Sequence, residues 1–214
     1  MLTQIPLRAI IFDWDGTLLD SYAADARAFL QMFKALDISW RLDELRRHYS
    51  PDWHNVYRAA GLPEARWPEA DRLWRHFYAA EHPTLQPGAR AVLQKLSLHY
   101  KLGLVTSGSG WRVRAQLQNF ALDRVFAVRV FGDQTPQRKP HPAQLRIALH
   151  RLGVAPSAAV YVGDAPEDVQ MARRAGVCSV AILGNSAVPE RLAAARANIA
   201  ISRITDFPKL LWCA

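Results

Sequence analysis

The sequence predicts an α/β protein: a doubly wound, mostly parallel sheet with helices on both faces, plus a small all-helical unit inserted after the first strand. Three observations support this reading. Short apolar runs recur along the chain, amphipathic helical patterns lie between them, and residues 21–84 carry helical spacing without a convincing strand. The apolar runs stand at Ala9–Phe12, Leu102–Val105, Val125–Val130, Val160–Val162, Ser179–Leu183 and, more weakly, Asn198–Ile201. Runs this continuous fit strands buried on both faces. Helical patterns follow at Ala89–Leu98, Trp111–Phe120, Pro142–Leu152, Pro166–Ala175 and Pro189–Ala197, three of them opened by a proline suited to a first helical turn. Such alternation implies right-handed crossovers and a parallel sheet.

The inserted stretch reads as helices through Ala24, Ala28, Phe29 and Met32, then Leu42, Leu45 and Tyr49, then Leu73, Trp74, Phe77 and Tyr78. His82-Pro83 and Gln86-Pro87-Gly88 mark the return. The expected division is a core of residues 1–20 and 85–214 and a helical unit of residues 21–84. A chain of 214 residues, half of them hydrophobic, is long enough for one such core with its insert.

Composition narrows the function classes. No apolar stretch reaches the roughly eighteen residues of a membrane span, and the N-terminus lacks a basic leader, so a cytoplasmic protein with no membrane partner is expected. Two cysteines, Cys178 and Cys213, are too few for a disulfide framework or a zinc cluster and read as free thiols. The formal charge is +8, but residues 21–84 hold nine basic and nine acidic side chains, so the excess lies outside the insert. A soluble basic surface explains it best, attraction of small anionic substrates next, and nucleic acid is not expected.

Polar residues follow three apolar runs directly. "DWDGT" places Asp13 and Asp15 after the first, "TSGSG" places Thr106, Ser107 and Gly108 after the second, and "GDAPED" places Asp164 and Asp168 after the Val160 run. In open parallel sheets ligands bind outside the carboxyl ends of the strands, so these groups are candidates for one crevice. Alternation separates Asp13 and Asp15 from Trp14, and Gly16 permits a tight turn. Hydroxyls, glycines and a helix N-terminus make "TSGSG" a candidate anion cradle. Carboxylates without a Cys or His cluster favour a hard cation such as Mg²⁺. Lys139 in "RKPHP" is the candidate counter-charge. Crowding of like charges should raise the proton affinity of one carboxyl, which makes Asp15 a candidate general acid.

The motifs "DWDGTLLDS" at 13–21, "LVTSGS" at 104–109, "KPHP" at 139–142 and "GDAPEDVQMARRAG" at 163–176, in this order, resemble the haloacid dehalogenase-like hydrolases with a helical cap. The similar subgroup is that of the phosphoglycolate phosphatases. The resemblance implies that Asp13 attacks phosphorus to form an aspartyl-phosphate while Asp15 handles protons. It also implies that Thr106 and Lys139 hold the phosphoryl group, with Mg²⁺ on Asp13, the Asp15 carbonyl and Asp164, and Asp168 assisting. The expected substrate is a small phosphorylated metabolite, handled by a monomer or homodimer. Dehalogenase members are disfavoured by the second aspartate and the Gly-Thr that follows it. A phosphomutase of the same family, or a binding module without catalysis, are the alternatives.

Other residues admit two readings. Asp168 either assists the metal or caps a helix and pairs with Lys139. Arg112 and Arg114 either screen a substrate's charge or lie on the helix surface, and the surface is the expectation. Trp14 either contacts substrate or packs. Most tryptophans of the insert suit its own core, and "HYSPDWHNVY" is the candidate loop reaching the site, with Trp53 and His54 as its contacts.

Overall fold

The structure, a computed structural model, describes residues 6–212. Strand β1 (Ala9–Phe12) leads into a two-residue strand β2 (Leu19–Asp20), then helices α1 (Tyr22–Ala35), α2 (Leu42–His48), α3 (Trp53–Ala59) and α4 (Trp67–Tyr78). A second two-residue strand, β3 (Thr84–Leu85), returns the chain to α5 (Ala89–Ser97), β4 (Lys101–Val105), α6 (Gly110–Asn119) and β5 (Val128–Val130). The rest alternates: α7 (Ala143–Leu152), β6 (Ala159–Gly163), α8 (Pro166–Ala175), β7 (Cys178–Ile182), α9 (Pro189–Ala194), β8 (Ile199–Ile201) and α10 (Phe207–Trp212).

Six strands form one parallel sheet in the order β5-β4-β1-β6-β7-β8. The chain builds outward from β1 through β4 to β5, then crosses back to β6 on the other side of β1. The order therefore reverses at β1, and ligand crevices form at such switch points. β1 is buried throughout because its alternate residues face two helical layers. Ile10 and Phe12 pack with Leu93 and Val113, whereas Ala9 and Ile11 pack with Leu145 and Met171.

Helices α1–α4 enclose a separate apolar cluster that includes Phe29, Met32, Phe33, Leu45, Val56 and Tyr57. β2 and β3 pair antiparallel, Leu19 with Leu85 and Asp20 with Thr84, and carry the chain out to these helices and back. Two-residue strands are too short to display alternation, so the sequence pattern gave no strand at Thr84. The run expected as a strand from Val125 begins only at Val128, because residues 123–125 turn and Phe126 packs into the core from that turn. Helix α9 ends at Ala194 rather than Ala197. The Asn198 side chain accepts from the Ser179 amide at 2.9 Å and draws the chain into β8. Cys178 is a half-buried free thiol, and Cys213 lies outside the described residues. Among the described residues, no helix is long and apolar enough to cross a membrane.

Candidate active site

The acidic side chains meet where β1 and β6 end side by side. Phe12 pairs with Val162, and the Asp13 amide donates to the Val162 carbonyl at 2.9 Å, which sets Asp13 beside Gly163 and Asp164. Gly16 turns the chain at φ +77°, and a Cβ there would stand 2.1 Å from Asp164 Oδ2. The Thr17 hydroxyl then donates to Asp164 Oδ1 at 2.6 Å. Asp168, in the first turn of α8, accepts from the Ala165 amide at 3.1 Å, and the Tyr161 hydroxyl lies 3.2 Å from its other oxygen.

Lys139 comes from the segment between β5 and α7. Its Nζ, fully buried, sits 2.8 Å from both Asp13 Oδ1 and Asp168 Oδ1. Asp168 caps α8 and pairs with Lys139, and one of its oxygens also belongs to the carboxylate cluster. Ligand atoms of Asp13, Asp164 and Asp168 all lie within 4.8 Å of one another. Thr106, Ser107 and Gly108 follow β4 and line the same cavity. The Gly108 amide donates to Thr106 Oγ1 at 3.0 Å, and Ser107 Oγ is buried without a partner.

Three buried carboxylates against one lysine leave the cluster short of positive charge. Burial pushes the Asp13 carboxyl up to about 7, although Lys139 opposes the shift, and Asp168 adds to it. Burial, with Asp13 and Asp168 nearby, pushes Asp164 well above the ordinary carboxylate range. Burial alone would lower Lys139, but Asp13 and Asp168 outweigh it and hold the ammonium charged. A buried cluster with surplus negative charge that offers only hard oxygen donors fits a divalent cation such as Mg²⁺.

Asp15 departs from the sequence expectation. Burial would raise its carboxyl, but Arg112 overrides this with two contacts, Nη1 to Oδ1 at 2.8 Å and Nη2 to Oδ2 at 2.6 Å, and the net shift is downward. Burial, with neighbouring carboxylates adding to it, therefore raises Asp13 and Asp164, whereas Arg112 holds Asp15 ionised. Arg112, expected on the surface, is buried; it also lies over the Tyr78 ring at 5.2 Å. Arg114 is exposed, as a helix-surface residue should be.

The helical unit closes the cavity from the other side. Its 49–53 segment reaches the core, with Ser50 Oγ donating to Glu167 at 3.1 Å. Arg138, the neighbour of Lys139, lies 3.6 Å from Asp52 and stacks on the Trp53 ring at 3.6 Å. Trp53 lines the cavity, as do Tyr22, Asp25, Phe29, Tyr49, Trp74 and Tyr78. Two expected contacts give way. His54, one residue along the helix, points elsewhere and stacks on Trp67 at 4.3 Å. Trp14 is wholly buried on the opposite side of its strand from Asp13, in the apolar core, and its Nε1 donates to Gln116 at 2.9 Å. Asp25 was not singled out in the sequence; it accepts from the Tyr49 hydroxyl at 2.5 Å and from Trp74 Nε1 at 2.9 Å.

A parallel sheet in this order, with carboxylates and a lysine gathered at its switch point, has its candidate active site where open α/β sheets bind ligands. The chain belongs to the haloacid dehalogenase-like hydrolases, whose family model matches residues 10–182. It is 32% identical over 187 residues to a phosphoglycolate phosphatase of Pseudomonas putida, spanning 82% of this chain and 69% of that one. It is 26% identical over 183 residues to the pyrophosphatase PpaX of Oceanobacillus iheyensis, spanning 82% and 83%. A solved haloacid dehalogenase-like family hydrolase from Streptococcus pneumoniae superposes with a TM-score of 0.83 at 25% identity, covering 96% of this chain and 98% of that one.

Proposed function

We propose that the protein is a Mg²⁺-dependent phosphatase that hydrolyses a small phosphomonoester through an aspartyl-phosphate on Asp13. The observation that carries this reading is the buried Asp13 carboxylate, 2.8 Å from Lys139 and clustered with Asp164 and Asp168 at the strand ends. In this reading the core is residues 1–20 and 85–214, and residues 21–84 form a cap that excludes water.

Asp13, Asp164 and the Asp15 carbonyl would hold the cation, with Asp168 assisting. The cation supplies charge stabilisation for the phosphoryl oxygens. Asp13 Oδ attacks phosphorus, a P–O bond forms to its carboxylate, and the bond to the departing alcohol breaks. Lys139 offsets charge beside Asp13, while the hydroxyls of Thr106 and Ser107 and the Gly108 backbone receive phosphoryl oxygens. Splitting the displacement into two steps lowers each barrier. Asp15, held ionised by Arg112, is suited to take a proton from the water that hydrolyses the acyl-phosphate. To serve first as acid, it must gain a proton and loosen from Arg112 as substrate enters.

A phosphatase is favoured over a mutase, which would use the same two aspartates, because the chain is similar to a phosphoglycolate phosphatase and a pyrophosphatase. The test is turnover of a phosphomonoester panel by purified protein with Mg²⁺, beside Asp13→Asn and a chelator-treated sample. Phosphate release by the wild type alone supports the reading; release by Asp13→Asn at a comparable rate contradicts it.

A further inference from the structure

We infer that the chamber above Asp13 is built for a phosphomonoester whose alcohol carries a single uncharged ring, a substrate class distinct from phosphoglycolate. The inference rests on the phosphatase reading and adds the identity of the leaving group.

The floor and the roof of the cavity differ in chemistry. The floor is the polar set at the strand ends. The roof is aromatic: Tyr22, Phe29, Tyr49, Trp53, Trp74 and Tyr78 all line it. Aromatic faces favour flat partners in offset or edge-to-face contact. Two of these walls are fixed from one point, since Asp25 accepts from both Tyr49 Oη and Trp74 Nε1. Tyr78 stacks on Trp74 with ring centroids 4.6 Å apart, so a third wall is tied to the same anchor. Trp53 is braced from behind by the Arg138 guanidinium, 3.6 Å from its ring. A roof held this firmly is a preformed slot, and preformed walls are what make a pocket selective for shape.

Charge argues against an acidic leaving group. Asp25 and Asp71 both belong to the lining, Arg112 is committed to Asp15, and the remaining arginine of the lining, Arg75, is exposed. The carboxylate of a glycolate would meet two acids, and the one lining cation outside the Asp15 pair is the exposed Arg75. Size argues against a nucleotide. The cavity, polar floor included, is about 150 Å³ and must hold the phosphoryl group as well as its alcohol, which leaves space for a small alcohol only.

The experiment compares benzyl phosphate with n-butyl phosphate and 2-phosphoglycolate by kcat/KM in the presence of Mg²⁺. Benzyl and butyl alcohols are both alkoxide leaving groups, so intrinsic reactivity does not decide the ratio. The expected result is a preference for benzyl phosphate of about tenfold or more over both others, the discrimination a well-fitted apolar pocket delivers. The benzyl-to-butyl ratio should fall by about tenfold in Trp53→Leu, with folding checked by circular dichroism. Benzyl phosphate accepted no better than the aliphatic esters, or 2-phosphoglycolate preferred, overturns the inference while leaving the phosphatase reading intact. Turnover of none of the three, nor of any panel phosphomonoester, overturns both. If Trp53→Leu does not fold, the wild-type ratio alone decides.

Discussion

Replacing Arg112 with methionine isolates the feature that most changes the chemistry of Asp15. The side chain is 9% exposed and makes two short contacts to Asp15, whose own side chain is 26% exposed. Removing one partner of a buried ion pair costs about 3 to 5 kcal/mol, because the other charge is left uncompensated. Asp15 retains some access to water, so a loss near the lower end, about 3 kcal/mol, is expected on equilibrium unfolding in urea. In the Asp15→Asn background the carboxylate is already gone, and the same Arg112 change should cost about 2 kcal/mol less; the difference measures the pair directly. Turnover should respond as well. Without Arg112 the proton affinity of Asp15 rises, so the acidic limb of the pH–rate profile moves to higher pH. A loss under about 1 kcal/mol with additive mutations and an unmoved profile would refute the claim that Arg112 keeps Asp15 ionised.

Three further outcomes follow from the same geometry. Gly16→Ala puts a side chain at φ +77° and against the Asp164 carboxylate, so activity should drop sharply and the midpoint of thermal unfolding should fall, equivalent to about 1 to 3 kcal/mol; unchanged melting and turnover would mean the turn relaxes freely. Burial raises the Asp25 carboxyl to about 6, against an unfolded value near 3.8. The folded chain thus binds this proton more tightly, so the stability linked to it is largest below about pH 4 and is lost as pH rises through 6. Compared with Asp25→Asn, the wild type should therefore lose melting temperature between those limits; parallel curves would contradict this. Mg²⁺ should raise the melting temperature of the wild type by offsetting the clustered carboxylates. Asp164→Asn should abolish that rise; an equal rise in the variant would place the ion elsewhere.

The strand ends were legible in the sequence because each is a contiguous signal. Asp13, Thr106 and Asp164 stand directly after apolar runs, and parallel pairing brings those ends into one row whatever the details of packing. The role of Arg112 was not legible, since it joins Asp15 across 97 positions and depends on which face α6 presents to the crevice. Arginines in the first turn of a helix are commonplace, and only burial distinguishes this one. Trp14 was half legible: strand alternation set it opposite Asp13, but a core on both faces of the sheet was needed to show that it packs. The insert was readable as helices, yet its roof was not, because Asp25 gathers Tyr49 and Trp74 from three separate segments. Trp53 and His54 illustrate the same limit, as adjacent helix positions face directions about 100° apart and only one of them meets the cavity.

The most direct test of the account is the chemical identity of the phosphorylated enzyme. Protein mixed with an excess of labelled phosphomonoester and Mg²⁺ is quenched in acid within one turnover, digested, and analysed by mass spectrometry, with hydroxylamine sensitivity as a check for acyl-phosphate. The account predicts a phosphorylated peptide in which Asp13 carries the group, lost in Asp13→Asn. Label on another residue, or phosphate released at full rate with no acyl-phosphate formed, would contradict it.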